Sequence, residues 1–312
     1  VAKRPWVTAC TALLYLGIAA CSTIQTQQIV YDREQLPSRA EVAEVPFFPQ
    51  ERYHCGPAAL AMVLAWSGLP LTPDDLVSEV YTPSRNGTLR TDVLAAARLH
   101  GRLAVETGSM RDLLQEIAAG SPVLVFQNLA LSWYPQWHYA VAIGYDLEAR
   151  EITLRSGLDK RRVLTLDTFE RTWRRGDFWA LTVLPPGRLP ASAEEKPLLE
   201  AAAALERVQR YEEAAEAYTA ISARWPLNVA ARMGLGNTRY AMGDYAGAER
   251  AYLEAIGKDS QSAAAWNNLA YALAAQGRRD EALGAVEKAL LYDADNRSVY
   301  EDSLRELSSQ EM

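Results

Sequence analysis

The chain has 312 residues, 49% hydrophobic and 23% charged, with a formal net charge of −7. That length suits two packed domains, or one domain with an extension, and the composition is that of a folded globular protein. The acidic balance, with no long basic run, argues against a general affinity for nucleic acid.

Lys3 and Arg4 precede the apolar run VTACTALLYLGIAA over 7–20. The run is too short to span a membrane comfortably but suits the core of a signal peptide. It ends Ile18-Ala19-Ala20-Cys21, which resembles the lipobox of bacterial lipoproteins. The resemblance implies a leader over 1–20 and lipidation of Cys21 as the mature N-terminus. Ser22, in place of aspartate, implies by the usual sorting convention an outer-membrane anchor facing the periplasm of the cell envelope. An ordinary leader or a short buried helix containing a cysteine is the plainer reading of the same run. The polar stretch over 21–44 has little periodicity and reads as a tether.

Over 45–186 the patterns mix. Apolar or amphipathic stretches at 58–66, 91–100 and 110–119 predict helices, and runs at 122–128, 138–145, 151–155 and 178–184 predict strands. Helices first and an antiparallel sheet afterwards indicate an α+β domain. The Pro-rich stretch PPGRLP over 185–190 then breaks the chain, and 187–194 reads as a linker.

From 195 to 312 the sequence is alanine-rich and repeats every 34 residues, in blocks opening at Glu195, Val229 and Ala263. Position 8 of the blocks is Ala202, Gly236 and Ala270; position 20 is Ala214, Ala248 and Ala282; position 24 is Tyr218, Tyr252 and Val286. Small residues at fixed places let the helices of a hairpin pack closely. This pattern resembles the tetratricopeptide repeat, with about three repeats and a capping helix over 297–310. Such arrays present a concave face to a peptide or protein partner. The region carries 19 acidic and 13 basic residues, a weak pointer to a basic partner.

The chain has three cysteines. Cys10 falls in the leader and Cys21 in the lipobox, so Cys55 stands alone as a thiol in an exported, oxidising compartment. It begins the stretch CGPAALAMVLAW, where Gly56 and Pro57 suit a helix start. Free N–H groups and the helix dipole there are expected to lower a thiol's pKa, and a thiolate is a nucleophile. A small buried hydrophobe is the bland alternative. A base must accompany a nucleophile, and there are three histidines. His54 neighbours the cysteine in sequence and is expected to point away; His100 ends a surface helix. His138 opens a strand after a loop bearing Trp133, Tyr134 and Trp137, and is open to either a catalytic or a structural role.

QERYHCGPAAL over 50–60, followed by HYAVAIGYD over 138–146, resembles the C39-like family of papain-fold cysteine peptidases. The resemblance implies a papain-like fold, with His138 as the general base and acid for Cys55. It also implies that the Gln50 amide and the Cys55 N–H form an oxyanion hole. Gln50 stands five residues before the cysteine rather than the six of transporter-fused members. Family members usually carry an aspartate after the histidine strand, and the equivalent position here is Ser156, in LRSGLDKRR. Serine supplies no negative charge to an imidazolium. Asp159 is therefore the candidate orienter, with Asp146 a weaker choice.

These readings together indicate a membrane-anchored cysteine peptidase whose repeats recruit a protein substrate or partner. The alternative is a catalytically inactive, peptide-binding scaffold of the envelope. Acyl transfer to an amine uses the same residues. No cofactor motif or metal-ligand spacing is present in the sequence.

Overall fold

The structure, a computed structural model, describes residues 23–32, 36–50 and 54–309. The expected leader and Cys21 lie outside the described residues. No helix among the described residues is long and apolar enough to cross a membrane. The chain divides into two compact units. One runs up to Leu94 and resumes over Glu106–Val183; the other comprises Ala95–Val105 and the chain from Leu184 onward.

The region read as a tether is built into the first unit. Helix α1 (Ile24–Tyr31) buries Thr26 and Ile29, and strand β1 (Arg39–Glu41) pairs antiparallel with a central strand. The sequence IQTQQIVY carries almost no amphipathic signal, so its support comes from elsewhere. The carboxylate of Glu170, itself 2% exposed, accepts hydrogen bonds from the backbone N–H groups of Gln25 (3.2 Å) and Thr26 (2.7 Å). Two of the unpaired N–H groups of a helix start are thereby satisfied, at the end where negative charge is favourable. Thr23 also donates to Asp167.

Helix α2 (Cys55–Trp66) is buried continuously from Gly56 to Leu64. A helix that is hydrophobic on all sides belongs in a core, and the sheet wraps its flank. Helix α3 (Pro73–Val80) opens with a capping box between Thr72 and Asp75. A small hairpin follows, β2 (Tyr81–Thr82) and β3 (Gly87–Thr88), then α4 (Arg90–Leu99), β4 (Leu103–Thr107) and α5 (Met110–Ala118).

The main sheet contains β5 (Val123–Asn128), β6 (Trp137–Asp146), β7 (Glu151–Ser156), β8 (Asp159–Thr165) and, after α6 (Leu166–Arg174), β9 (Ala180–Leu184). Its order is β9-β5-β6-β7-β8 with antiparallel neighbours. The long strand β6 organises it. Along one edge it pairs with β5 from Trp137 to Ala142 and then with β1 from Gly144 to Asp146. On its other edge the pairing with β7 ends at Val141↔Arg155, so that the two strands part beside His138–Ala140. The expected strands are present, and β8, whose sequence DKRRVLT reads as turn and charge, adds another.

In the second unit seven helices follow in succession: α7 (Glu195–Arg207), α8 (Tyr211–Arg224), α9 (Val229–Ala241), α10 (Tyr245–Lys258), α11 (Ala263–Ala274), α12 (Arg279–Tyr292) and α13 (Arg297–Ser309). Each 34-residue block opens on the first residue of a helix. The glycines show why small residues recur. A Cβ on Gly236 would stand 2.3 Å from the Tyr252 ring, and one on Gly234 would stand 2.3 Å from the Tyr218 ring. The Tyr218 hydroxyl and the Thr238 hydroxyl each donate to Glu206 at 2.8 Å, tying α7, α8 and α9 together.

Candidate active site

The site occupies the split between β6 and β7. Cys55 is the first residue of α2, half-buried, and its sulfur is reached by the backbone N–H groups of Gly56 and Tyr139. Gly56 admits no side chain, because a Cβ there would stand 2.4 Å from Thr88 Oγ1. The hairpin β2–β3 therefore sits directly on the start of α2. His54 packs edge-on against Tyr81, with ring centroids 5.3 Å apart.

Gln50 enters the same split, 8% exposed. Its backbone N–H donates to Gly157 O, and Gly157 N–H donates back to Gln50 Oε1, each at 3.1 Å. Since Oε1 is held by an N–H donor, Nε2 faces the other way, where it makes a long 3.5 Å contact with Tyr139 O. Gln50, Cys55 and His138 are thus gathered around the backbone of Tyr139.

His138 Nε2 lies 2.8 Å from Ser156 Oγ. Ser156 is 2% exposed. Asp159, the carboxylate expected to orient the histidine, is exposed and sits across the β7–β8 turn, opposite Ser156 in register. The turn between them passes through Gly157, whose φ is +62°, and the side chain against the imidazole is the serine's. Asp146 lies at the far end of β6 and accepts from the backbone N–H groups of Glu148 and Ala149.

The electrostatics correct a second expectation. Burial pushes the Cys55 thiol above its ordinary pKa, and the surrounding N–H groups of Tyr139 and Gly56 only partly offset it. Burial, with the nearby Arg162 guanidinium second, pulls His138 down from 6.5 to about 4. At this helix start desolvation outweighs the N–H donors, so the thiol is shifted up rather than down. Burial thus acts on both groups in the direction of the neutral form.

Beside the split stands an aromatic group. Phe126 stacks on Trp137 at 5.1 Å and packs on Tyr139 at 4.7 Å, with the Arg90 guanidinium 5.5 Å from its ring centroid. The loop before β6 is fastened by Asn128, whose Oδ1 accepts from Ala130 N (3.0 Å) and Gln136 N (2.9 Å). It displays Trp133 and Tyr134, 80% and 72% exposed, one turn from His138. His100 ends α4 and is not part of this site. Among the described residues no cluster could hold a metal ion. The sequence placed Ser156 at the position of the family's aspartate but gave it no role, and it gave no signal for the part played by the Tyr139 backbone.

This geometry is that of a cysteine–histidine site on an α+β sheet domain. Residues 42–178 match the Peptidase_C39 like family, and residues 199–241 and 234–298 match the tetratricopeptide repeat. The chain therefore carries a C39-like domain followed by tetratricopeptide repeats. Among solved structures, the first domain is similar to a candidate C39-like peptidase from Bacillus anthracis. That similarity has 20% identity and a TM-score of 0.41, covering 47% of this chain and 98% of that one. The repeats are similar to the Yersinia enterocolitica type III secretion chaperone SycD, solved with a peptide of the translocator YopD (21% identity, TM-score 0.35, 36% and 91% covered). They are also similar to the second repeat domain of human RPAP3, solved with an HSP70 peptide (22% identity, TM-score 0.34, 37% and 93% covered). No curated protein matches the chain.

Proposed function

We propose that the protein is a cysteine peptidase that cleaves an amide bond through a thioester. The observation that carries this reading is the convergence of Cys55, His138 and the Gln50 amide around the Tyr139 backbone, where β6 and β7 separate. Cys55 Sγ attacks the amide carbonyl as its proton passes to His138, and the oxyanion is met by the Gln50 amide and the Cys55 N–H. His138 then protonates the leaving amine and activates the water that hydrolyses the thioester. With both partners neutral at rest, proton transfer accompanies attack. The repeats recruit a protein substrate or partner along their concave face. Lipidation of Cys21 anchors the protein to the envelope membrane, facing the periplasm.

The test is trapping of the acyl-enzyme. Wild-type protein and Cys55→Ala are incubated with a p-nitrophenyl ester and a mixed peptide pool, and intact mass is read at short times. An adduct on Cys55 with turnover of peptides is expected, and both vanish in Cys55→Ala.

One observation favours the inactive scaffold: among the described residues, the hydrogen-bond partner of the His138 ring is the neutral Ser156. Absence of any adduct on an accessible Cys55 would establish that reading instead.

A further inference from the structure

We propose that Ser156 is a positioning residue that fixes the tautomer of His138. The histidine's Nε2–H donates to Ser156 Oγ, which leaves the Nδ1 lone pair to take the Cys55 proton. The inference rests on the peptidase reading above and specifies how its base is set without a carboxylate.

The 2.8 Å contact joins Nε2 to a hydroxyl that is 2% exposed, on a strand whose ladder to β6 has just ended. Only one nitrogen of the ring is engaged by Ser156, so Nδ1 is the nitrogen left for chemistry. A hydroxyl accepts from an Nε2–H or donates to an Nε2 lone pair; it is the peptidase reading, which needs a free lone pair on Nδ1, that selects the Nε2–H form. Ser156 is held from both sides: Gly157 N–H donates to Gln50 Oε1, and Asp159 stands opposite Ser156 in register. The oxyanion-hole glutamine and the histidine's partner are therefore fastened to one turn.

The charged surroundings explain what a hydroxyl does here that a carboxylate would do differently. Among the described residues, the charged group that acts on His138 is Arg162 from β8. Arg162 pairs in register with Leu154, on the face shared with Ser156. With a guanidinium nearby and, among the described residues, no carboxylate hydrogen-bonded to the ring, a lasting imidazolium is disfavoured, and burial acts in the same direction. The step is then a neutral relay. The Sγ–H bond breaks and Nδ1–H forms as Sγ bonds to the carbonyl carbon, whose π pair becomes the oxyanion. On collapse the C–N bond breaks and the proton on Nδ1 leaves with the amine. The imidazolium exists only between these two events, and Ser156 keeps the ring aimed throughout.

The test is a long-range proton–nitrogen correlation spectrum of the full chain labelled with 15N-histidine. There are three histidines, so the His138 signals are those absent from His138→Gln. A pyrrole-type Nε2 and a pyridine-type Nδ1 are expected for His138. Ser156→Ala is expected to give averaged nitrogens, and Ser156→Thr, which keeps the hydroxyl, to restore the single tautomer. Ser156→Asp is expected to raise the His138 pKa by at least about two units. It is also expected to speed Cys55 alkylation by iodoacetamide at pH 6.5 more than about tenfold. A pyrrole-type Nδ1 in the wild type, or an unchanged tautomer in Ser156→Ala, overturns the proposal. Acylation of Cys55 by the p-nitrophenyl ester is read on the same samples. If the tautomer behaves as expected and no ester adduct forms, the peptidase reading fails while Ser156 still positions the ring. If the adduct forms and the tautomer ignores Ser156, the positioning role fails alone.

Discussion

Gln50 and Gly157 exchange two hydrogen bonds, the Gln50 N–H to Gly157 O and the Gly157 N–H to Gln50 Oε1, both at 3.1 Å. The exchange orients the Gln50 amide through Oε1, and leaves Nε2, with its long contact to Tyr139 O, to serve as the donor to the oxyanion in the proposed mechanism. A donor held this way stabilises charge that develops only in the transition state, typically by a factor of about 10²–10³ in rate. Gln50→Ala is therefore expected to slow acylation of Cys55 by a p-nitrophenyl ester by about that factor. Alkylation by iodoacetamide forms no oxyanion and should change less than about twofold. Equal slowing of both reactions would show that Gln50 supports the fold of the site rather than its chemistry.

The direction of the Cys55 shift predicts the pH profile of that alkylation in the free protein. Burial holds the thiol above its ordinary value, and His138, pulled down to about 4, is neutral across the physiological range. The rate should rise through a single titration above the ordinary thiol range of about 8.5, with no fast plateau on the acid side. A rate that stays high at pH 6 would mean a standing thiolate–imidazolium pair and would contradict the neutral one.

The same histidine bears on stability. Its folded pKa of about 4 lies below the unfolded value of 6.5, so the unfolded chain binds the proton more readily between those values. Stability is fully present above pH 6.5 and falls as the pH is lowered towards 4. The shift corresponds to about 3 kcal/mol as an upper scale. Urea unfolding of the wild type at pH 7 and pH 4.5, compared with His138→Gln, should show a smaller acid loss in the variant. Identical losses would place the acid sensitivity in other groups.

What was legible in the sequence follows from where each signal is stored. The apolar runs of β5, β6, β7 and β9 and the 34-residue period of the repeats are local patterns, read without knowing the fold. Strand β8 was hidden because DKRRVLT is mostly exposed, and its charged residues resemble a turn. Helix α1 was hidden for a different reason: its N–H groups are capped by Glu170, 144 and 145 residues away in sequence. Among the candidate site residues, Cys55 was marked by its Gly-Pro successor, while His138, open to either role at its strand mouth, was singled out by the family resemblance. The direction of the thiol's shift was not legible because a local argument, the helix end, counts donors but not burial. Asp159 was favoured for its charge, yet it is exposed and the ring's partner is Ser156, opposite it in register.

Glu170 offers a direct test of whether α1 belongs to the domain. Its carboxylate is nearly fully buried and accepts two N–H groups, so Glu170→Ala leaves both donors without their partner. A loss of about 1–3 kcal/mol is expected. Hydrogen exchange should show the amides of 24–31 losing protection, while α2 retains its own. Unchanged protection over 24–31 would mean that the apolar contacts of Ile29 hold α1 without the cap.

Between the repeats, Gly236 and Tyr252 oppose two familiar effects. Replacing glycine inside a helix by alanine ordinarily gains about 0.5–1 kcal/mol from reduced backbone freedom. Here the added Cβ would meet the Tyr252 ring at 2.3 Å, and that ring is 2% exposed, its hydroxyl donating to Asn237 at 2.8 Å. Overpacking of this kind costs about 1–3 kcal/mol, so the clash should win. Gly236→Ala is expected to lower the thermal midpoint of the full chain. In a Tyr252→Ala background the same change meets no ring and should become neutral or stabilising. A double-mutant cycle read by thermal and urea unfolding measures the coupling directly. Additive effects of the two substitutions would show that the ring can move aside, and that small residues at position 8 answer to something other than the tyrosine of the following helix.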